Sequence, residues 1–421
     1  MLTDHKCLKK QRTIVIIALV TALGLAGDSM LYIALPIYWR EAGLTAIWQV
    51  GVLLSINRFI RLPINPFVGW LYRKVSLRTG LFLAAILGMI TTAGYGMAKG
   101  FFLWLLLRCL WGLAWSLFRI GGLQAVVQYA GTHNRGQMMG TYNGLHRLGS
   151  LFGMLIGGIF VPIIGLKSVS LIFGAISLLG LPLLFQSLAP RSALGNDANR
   201  PSGATAMAWR LYIKNGWFMI VSGFFINMLF TGVLTSTLSV AVEIQNIKTL
   251  SLFGLAISIT ALSGLLQAAR WTWEPFLARG IGSWSDGPRG RGPILIGSLI
   301  VAAISFGFVS MTLPIYAWMA VVLIVMLSAT ALTTLTDSLA ADAAKAINSV
   351  SFLAIYTIAQ DLGAALGPAI GYIFLPLTYG LQFIYWGGAL LFLVIAALWV
   401  CARRQAPENT GMPTQLNVAK K

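Results

Sequence analysis

The chain has 421 residues, of which 57% are hydrophobic and 10% are charged. That balance excludes an ordinary soluble domain and predicts an integral membrane protein. The net charge of +19 is assigned to membrane topology and anionic lipid headgroups, so no nucleic-acid partner is predicted. The three cysteines and three histidines show no disulfide framework and no metal-ligand spacing, so neither a cofactor nor a metal site is predicted.

Twelve apolar runs follow one another along the chain, each near the roughly 20 residues that cross a bilayer as a helix. We number them as spans 1 to 12 and predict them at 13–36, 46–71, 79–98, 101–124, 139–161, 167–189, 215–239, 250–278, 293–312, 315–340, 349–374 and 380–402. The alternating pattern of a membrane β-barrel is absent from the sequence. The predicted fold class is therefore an all-α membrane protein with twelve transmembrane helices.

A polar segment rich in Pro, Gly, Ser and Asn separates spans 6 and 7. We predict a flexible cytoplasmic linker at 190–214 between two six-helix domains. The predicted parts are a cytoplasmic N-terminus (1–12), an N-terminal domain (13–189), the linker, a C-terminal domain (215–402) and a cytoplasmic tail (403–421). The basic N-terminus leads into a run too long for a signal-peptide core, so span 1 is predicted to be retained.

Basic residues fix the predicted orientation. Segments on the side of the two termini hold 20 of the 30 Lys and Arg, and segments on the other side hold four. This bias places both termini in the cytoplasm.

An internal repeat divides the chain into two halves. Residues 142–162 (YNGLHRLGSLFGMLIGGIFVP) recur as residues 356–376 (YTIAQDLGAALGPAIGYIFLP), with nine of 21 positions identical. Two parallel halves are the architecture of a class of secondary transporters. The repeat makes Arg147 the counterpart of Asp361, and nearly the same offset makes Arg61 the counterpart of Glu274. We predict that each of these two pairs meets across a central cavity and separates as the halves rock.

Three motifs carry a resemblance to a known family. Residues 69–78 read GWLYRKVSLR and residues 282–291 read GSWSDGPRGR, residues 108–112 read RCLWG, and residues 149–158 and 363–372 read GSLFGMLIGG and GAALGPAIGY. They resemble the loop, helix-4 and helix-5 motifs of the major facilitator superfamily, over nearly the whole chain. Three positions depart from the family pattern: Arg73 replaces an Asp, Met154 replaces a Pro, and Gly290 comes one position late. Residues 57–74 are also similar, more weakly, to exporters of opine-type metallophores.

The resemblance implies the major facilitator fold, with two pseudo-symmetric six-helix domains, and a gating role for the loop and glycine motifs. The implied gating residues are Gly69, Arg73, Arg78, Gly149, Gly153, Gly157, Gly282, Asp286, Arg291, Gly363, Gly367 and Pro368. Two alternatives stay open. The charged residues of the loop motif can serve only to orient the protein in the membrane. The glycines that recur every four residues can serve helix packing without any bearing on transport direction.

Ionisable side chains at membrane depth cost about 2.5 kcal/mol or more, so each requires a reason. The residues predicted to carry protons are Asp28, Arg108, His146, Glu274 and Asp361, with the role of Arg108 implied by the resemblance. The alternative for Asp28 is neutral hydrogen bonding or a structural pair with Arg58 or Arg61. For His146 the alternative is a hydrogen-bonded packing role.

Arg58 and Arg61 lie on one helix face and need anions, supplied by carboxylates or by a substrate. An aromatic lining beside arginines suits a substrate with carboxylates and an apolar body. The predicted substrate-binding residues are Asn57, Arg58, Arg61, Trp111, Tyr142, Arg147, Arg270 and Tyr356. A structural pair of Arg270 with Glu274, four residues on, is the alternative. Asp337 is placed toward the cytoplasmic end of span 10, where it can simply be solvated.

The sequence thus predicts a monomeric transporter of a bacterial inner membrane that exports a small organic solute, anionic or zwitterionic, in exchange for protons. A metallophore is one candidate solute. A broad drug exporter, an importer of organic anions and a non-transporting membrane receptor remain as alternatives. No enzyme is predicted, because no nucleophile–base set is seen. The predicted partners are the solute, protons and the lipid bilayer.

Overall fold

The computed structural model describes residues 2–129, 135–187, 206–245, 250–252, 255–285, 290–347 and 350–405. The first half consists of α1 (Leu2–Tyr38), α2 (Trp48–Phe59), α3 (Arg61–Lys74), α4 (Leu77–Met97), α5 (Phe101–Tyr129), α6 (Arg135–Leu178) and α7 (Gly180–Ser187). The second half consists of α8 (Ala206–Asn227), a π-helix (Met228–Leu234), α9 (Thr235–Ile244), β1 (Leu250–Leu252), β2 (Leu255–Ile257), α10 (Ile259–Ser285), α11 (Arg291–Phe308), α12 (Ile315–Ile347), α13 (Val350–Phe374) and α14 (Gly380–Gln405).

These helices account for the twelve predicted spans, and local chemistry explains where a span is broken. Span 2 divides into α2 and α3 because Pro63 has no N–H to donate to the carbonyl of Phe59. Span 5 and the start of span 6 lie in α6, which turns at Gly165, where φ is 83°, and α7 continues span 6. Glycine adopts that angle at no steric cost. Span 7 is made of α8, the π-helix and α9.

Eight helical stretches of the described chain are long and apolar enough to cross a bilayer. One of them, Met138–Gln186, covers both span 5 and span 6. The spans outside this set are 2, 8 and 11. They carry the mid-helix charges Arg58 and Arg61, Arg270 and Glu274, and Asp361. Each of these three spans thus carries candidate functional residues.

Two predicted boundaries differ from the structure. The start predicted for span 8 is wrong, because β1 pairs antiparallel with β2 there and α10 begins only at Ile259. Of the predicted linker, residues 190–205 lie outside the described residues, whereas residues 206–214 are helical and form the start of α8.

The duplicated glycine motif packs helices together inside each half. A side chain at Gly149 or Gly153 would meet the carbonyl oxygen of Ala22 or Ala26 on α1. A side chain at Gly363 would likewise meet the carbonyl of Phe224 on α8. The repeat thus builds the same close backbone contact twice, α6 on α1 and α13 on α8.

The halves contact each other at the end of the bundle opposite the chain termini, which we call the far end. Ser239 Oγ donates to the carbonyl of Ile33 (3.0 Å), and Thr260 Oγ1 donates to that of Gly158 (3.0 Å). Near the end that carries the termini, a side chain at Gly69 would meet no described atom within 4 Å. The nearby side chains of Phe67 and Trp70 are exposed. α2 packs against α13 of the second half, whereas α3, nearer the terminal end, packs mainly against helices of its own half. The halves therefore diverge toward the terminal end and leave a cleft between them.

Candidate functional site

A buried ion pair ties three helices of the first half together. Asp28 on α1 is 6% exposed and pairs with Arg108 on α5, which is fully buried. Arg108 Nε also donates to the carbonyl of Leu53 on α2 (2.8 Å), and Asn57 Nδ2 donates to Asp28 Oδ1 (3.4 Å). The partner of Asp28 is thus Arg108, and the alternative pairing with Arg58 or Arg61 is wrong.

Hydrogen-bonding capacity remains unused beside this pair. Within the described part of the chain, Asn57 Oδ1 and Arg108 Nη2 are buried and have no hydrogen-bond partner. Asn57 itself bonds to Asp28 on α1, and Arg108 bonds to the carbonyl of Leu53 on α2. A water molecule reaching the pair would find an acceptor in Asn57 Oδ1 and a donor in Arg108 Nη2.

Arg58 and Arg61 extend from span 2 into the cleft. Arg61 Nε donates to the carbonyl of Asn57 (2.8 Å), and Arg58 Nε donates to the hydroxyl of Tyr32 (3.4 Å). No ion pair of either arginine is formed with another described residue. The charge of Asp361 on α13 nevertheless acts on both guanidinium groups from the opposite half. The remaining guanidinium nitrogens are therefore suited to bind an anion in the cleft.

The one ion pair between the halves, among described residues, joins α6 to α10. Arg147 Nη1 lies 2.6 Å from Glu274 Oε1, and the two side chains are 47% and 15% exposed. The indole of Trp271 lies 5.7 Å from the Arg147 guanidinium and 5.5 Å from that of Arg270. Arg270 is 5% exposed, and its Nε has no partner in the described chain.

The predicted pairs Arg147–Asp361 and Arg61–Glu274 are wrong in this structure. Arg147 contacts Glu274, and the charge of Asp361 acts on the arginines of span 2. Residues related by the pseudo-twofold lie on opposite sides of the axis, so counterparts touch only when they lie on it. The symmetry instead relates the Arg147–Glu274 pair to Asp361 and Arg61, with the signs of the charges exchanged.

A polar network that the sequence prediction missed lies on the second half. Tyr356 Oη donates to Asp337 Oδ1 (2.8 Å), and Gln360 Nε2 donates to the same oxygen (2.9 Å). Gln360 Nε2 also lies 2.9 Å from Tyr356 Oη. Asp337 is exposed within a membrane span, and the charges of Arg147 and Glu274, the pair that joins the halves, act on it. We therefore place Asp337 at the cleft. The available signal was the spacing of Tyr356 and Gln360, which places them on one face of α13.

Three predicted site residues are buried inside the first half. Trp111 and Tyr142 are each 1% exposed, and Tyr142 Oη donates to the carbonyl of Phe118 (3.2 Å). His146 is buried, and its Nδ1 lies 3.0 Å from the carbonyl of Tyr142. The His146 ring also contacts the indole of Trp115, with ring centres 5.9 Å apart.

The predicted gating residues fall into two places. At the terminal end, Arg78 lies 4.2 Å from the ring of Phe185, and Arg291 Nη1 donates to the carbonyl of Ser338 (3.0 Å). Arg73 is exposed there, Gly282 lies in α10, and Asp286 lies outside the described residues. Toward the far end, the carbonyl of Pro368 faces Gly51 across the halves.

Twelve membrane spans in two related halves, arranged around a cleft with charged walls, define a secondary transporter. The sequence profile of the Major Facilitator Superfamily matches residues 17–352. The chain belongs to this family.

Relatives and solved structures agree with that assignment. The human chromaffin granule amine transporter is 26% identical over 178 residues, which are 42% of this chain and 33% of that protein. An MFS-type transporter of Salmonella newport, YcaD, is 25% identical over 121 residues, covering 29% of this chain and 31% of its own length. The matches thus span about a third of these relatives. The crystal structure of a bacterial homologue of the human lysosomal transporter Spinster, inward-facing and unoccupied, superposes with a TM-score of 0.67 at 17% identity, covering 94% of this chain and 97% of that one.

Proposed function

We propose that this protein exports a small organic solute, anionic or zwitterionic, in exchange for protons across a bacterial inner membrane. It works as a monomer with both termini in the cytoplasm. The observation that carries the proposal is the buried Asp28–Arg108 pair, one helix turn from the cleft arginines through Asn57. The amine transporter among the relatives supports a small organic solute as the cargo.

The pair offers a physical route to coupling. Protonation of Asp28 removes its charge and leaves Arg108 as an uncompensated cation in the protein interior, which is strongly unfavourable. The helices that hold the pair must then rearrange. Asn57 bonds to Asp28 through its side chain and to Arg61 through its carbonyl, so a movement at the pair reaches the solute-binding arginines.

Alternating access follows from the two ends of the bundle. In the present state the cleft opens toward the terminal end, and contacts such as Ser239–Ile33 and Thr260–Gly158 close the far end. Rocking of the halves breaks these contacts and brings the terminal ends together. The Arg147–Glu274 ion pair lies between the two ends of the bundle, and the distance between its charged groups changes in that motion.

The test uses everted membrane vesicles supplied with whole-cell extract, with solute uptake followed by mass spectrometry. An acidic interior should drive uptake by the wild-type protein. Asp28→Asn should abolish this gradient-driven uptake and keep solute counterflow in preloaded vesicles. Glu41→Gln, an exposed carboxylate near the far end, should retain both. Loss of counterflow together with a lowered melting temperature in Asp28→Asn would make the residue structural and refute the coupling role.

Import of an organic anion together with a proton is a second candidate, favoured by the position of Asp361. Its charge acts on Arg58 and Arg61 across the cleft. Protonation of Asp361 would free the two arginines, so proton and anion would bind together and move in the same direction. In right-side-out vesicles this mechanism predicts uptake driven by an acidic exterior, and Asp361→Asn would uncouple it.

A further inference from the structure

The two walls of the cleft carry opposite charges. The first half presents Arg58 and Arg61, whose ion-pairing capacity is unused among the described residues. The second half presents Asp337 and Asp361, both exposed on membrane-spanning helices. Arg147, a further cation of the first half, is already bonded to Glu274. A ligand in the cleft therefore meets unpaired cations on one wall and unpaired carboxylates on the other.

The Asp337 carboxylate is held in a fixed orientation. Tyr356 and Gln360, one helix turn apart on α13, both donate to Oδ1 at 2.8 and 2.9 Å. Oδ2 receives no hydrogen bond in the described structure and remains available on the exposed side chain. Because Gln360 uses its amide nitrogen on Asp337 and Tyr356, its amide oxygen is a second free acceptor.

An anion in this position requires a cation. The charges that act on Asp337 from the other described elements are those of Arg147 and Glu274. Arg147 is engaged 2.6 Å from Glu274, and Asp337 forms no ion pair with a described residue. A carboxylate and an amide oxygen together suit a primary or secondary ammonium group, which has several N–H donors and no acceptor.

We propose that Asp337, Tyr356 and Gln360 form a binding site for a protonated amine, and that the transported solute is a zwitterion. Its anionic group is bound by Arg58 and Arg61 on the opposite wall. The proposal rests on the proposed transport of a small organic solute, and it narrows that solute to molecules that carry both charges.

This arrangement gives the solute a role in closing the cleft. Its two charged groups are bound by different halves, so one molecule links the two walls. Asp337 lies toward the terminal end of α12, and α13 passes it with Tyr356 and Gln360 before reaching Asp361. Attraction between the solute and both walls therefore favours the approach of the halves at the open end. A solute with only one charge would bind one wall and would lack this effect.

The experiment measures binding by the purified full-length protein in detergent. The probes are ω-amino acids of increasing chain length, each compared with the n-alkanoate and the n-alkylamine of the same length. Dissociation constants come from ligand-dependent shifts of the melting temperature. One ω-amino acid should bind the wild-type protein about tenfold more tightly than either matched probe, since each charge-assisted hydrogen bond contributes about that factor.

Two variants test which side chain binds each charged group of the ω-amino acid, and a third variant serves as the control. Asp337→Asn should lower the affinity for that ω-amino acid to the level of the alkanoate, and Arg61→Gln should lower it to the level of the alkylamine. Glu243→Gln, an exposed carboxylate at the far end of α9, should keep the wild-type preference. Equal binding of all three probe types by the wild-type protein, including no binding by any, overturns the proposal, as does a preference that survives Asp337→Asn.

Transport measured in parallel separates this inference from the proposed function. Failure of the vesicle assay with an intact zwitterion preference would refute proton-coupled export and leave the binding site in place. Active export of a solute that lacks an amine would refute the site and leave export in place.

Discussion

The two halves of this protein share a scaffold and differ in where they keep their charges. Gly149 and Gly153 pack α6 on α1, and Gly363 and Gly367 pack α13 on α8 and the π-helix in the same way. The first half buries the carboxylate of Asp28 against an arginine and turns other arginines toward the cleft. The second half buries Arg270 and exposes the carboxylates of Asp337 and Asp361. Duplication thus preserved the packing, and divergence gave the cleft two unlike walls.

The largest expected effect comes from breaking the buried pair of the first half. Arg108→Leu leaves the Asp28 carboxylate buried without its cation, which should cost about 3–5 kcal/mol of stability. Chemical denaturation of the purified protein in detergent measures the loss. The double variant Asp28→Asn, Arg108→Gln should recover most of it. A single variant as stable as wild type would show that the pair is not buried in the native state.

The duplicated packing predicts similar penalties in both halves. Gly153→Ala and Gly367→Ala place a methyl group against the backbone of the neighbouring helix and should each cost about 1–3 kcal/mol. Gly140→Ala is the control, because a side chain there would meet no described atom within 4 Å. Melting temperatures of the three variants provide the comparison. A large loss in one half alone would mean that the glycines do not serve equivalent contacts.

Reversing the charges of the pair that joins the halves should affect transport more than stability. Arg147→Glu and Glu274→Arg should each reduce transport by about tenfold through repulsion between like charges, and the double variant should restore most of it. Stability should change by only about 0–1 kcal/mol, because Arg147 is half exposed. Vesicle transport rates and melting curves measure the two effects. Failure of the double variant to recover would exclude a direct pairwise role.

The smallest expected effect concerns the loop motif at the terminal end. Arg78→Gln removes a cation–π contact with Phe185 at 4.2 Å, worth about 0.5–1 kcal/mol at such a site. Arg73→Gln should be neutral, since Arg73 is exposed. The difference between their melting temperatures tests whether Arg78 serves packing in the first half. Equal changes in melting temperature would mean that Arg73 and Arg78 serve only as positive charges that set the orientation of the protein in the membrane.

Much of the fold could be predicted because membrane insertion imposes one-dimensional constraints. Span lengths follow from bilayer thickness, and the repeat at 142–162 and 356–376 revealed the two halves. The start of α10 could not be found from hydropathy, because the apolar segments Leu250–Leu252 and Leu255–Ile257 pair as strands where a helix was predicted. Side-chain partners were harder still. Asp28 was identified as a candidate, but Arg58 and Arg61 were taken as possible partners in place of the fully buried Arg108.

The sequence alone determined which residues are costly in a membrane, namely Asp28, Arg58, Arg61, Arg147, Glu274 and Asp361, because the cost of charge in a bilayer depends on residue type and depth. Only the tertiary structure decided how they pair. Repeat register relates Arg147 to Asp361, but contact depends on which helices face each other, and α6 faces α10 while α13 faces α2. The same geometry assembled Asp337, Tyr356 and Gln360, because hydrogen bonds act over about 3 Å between positions far apart in the chain.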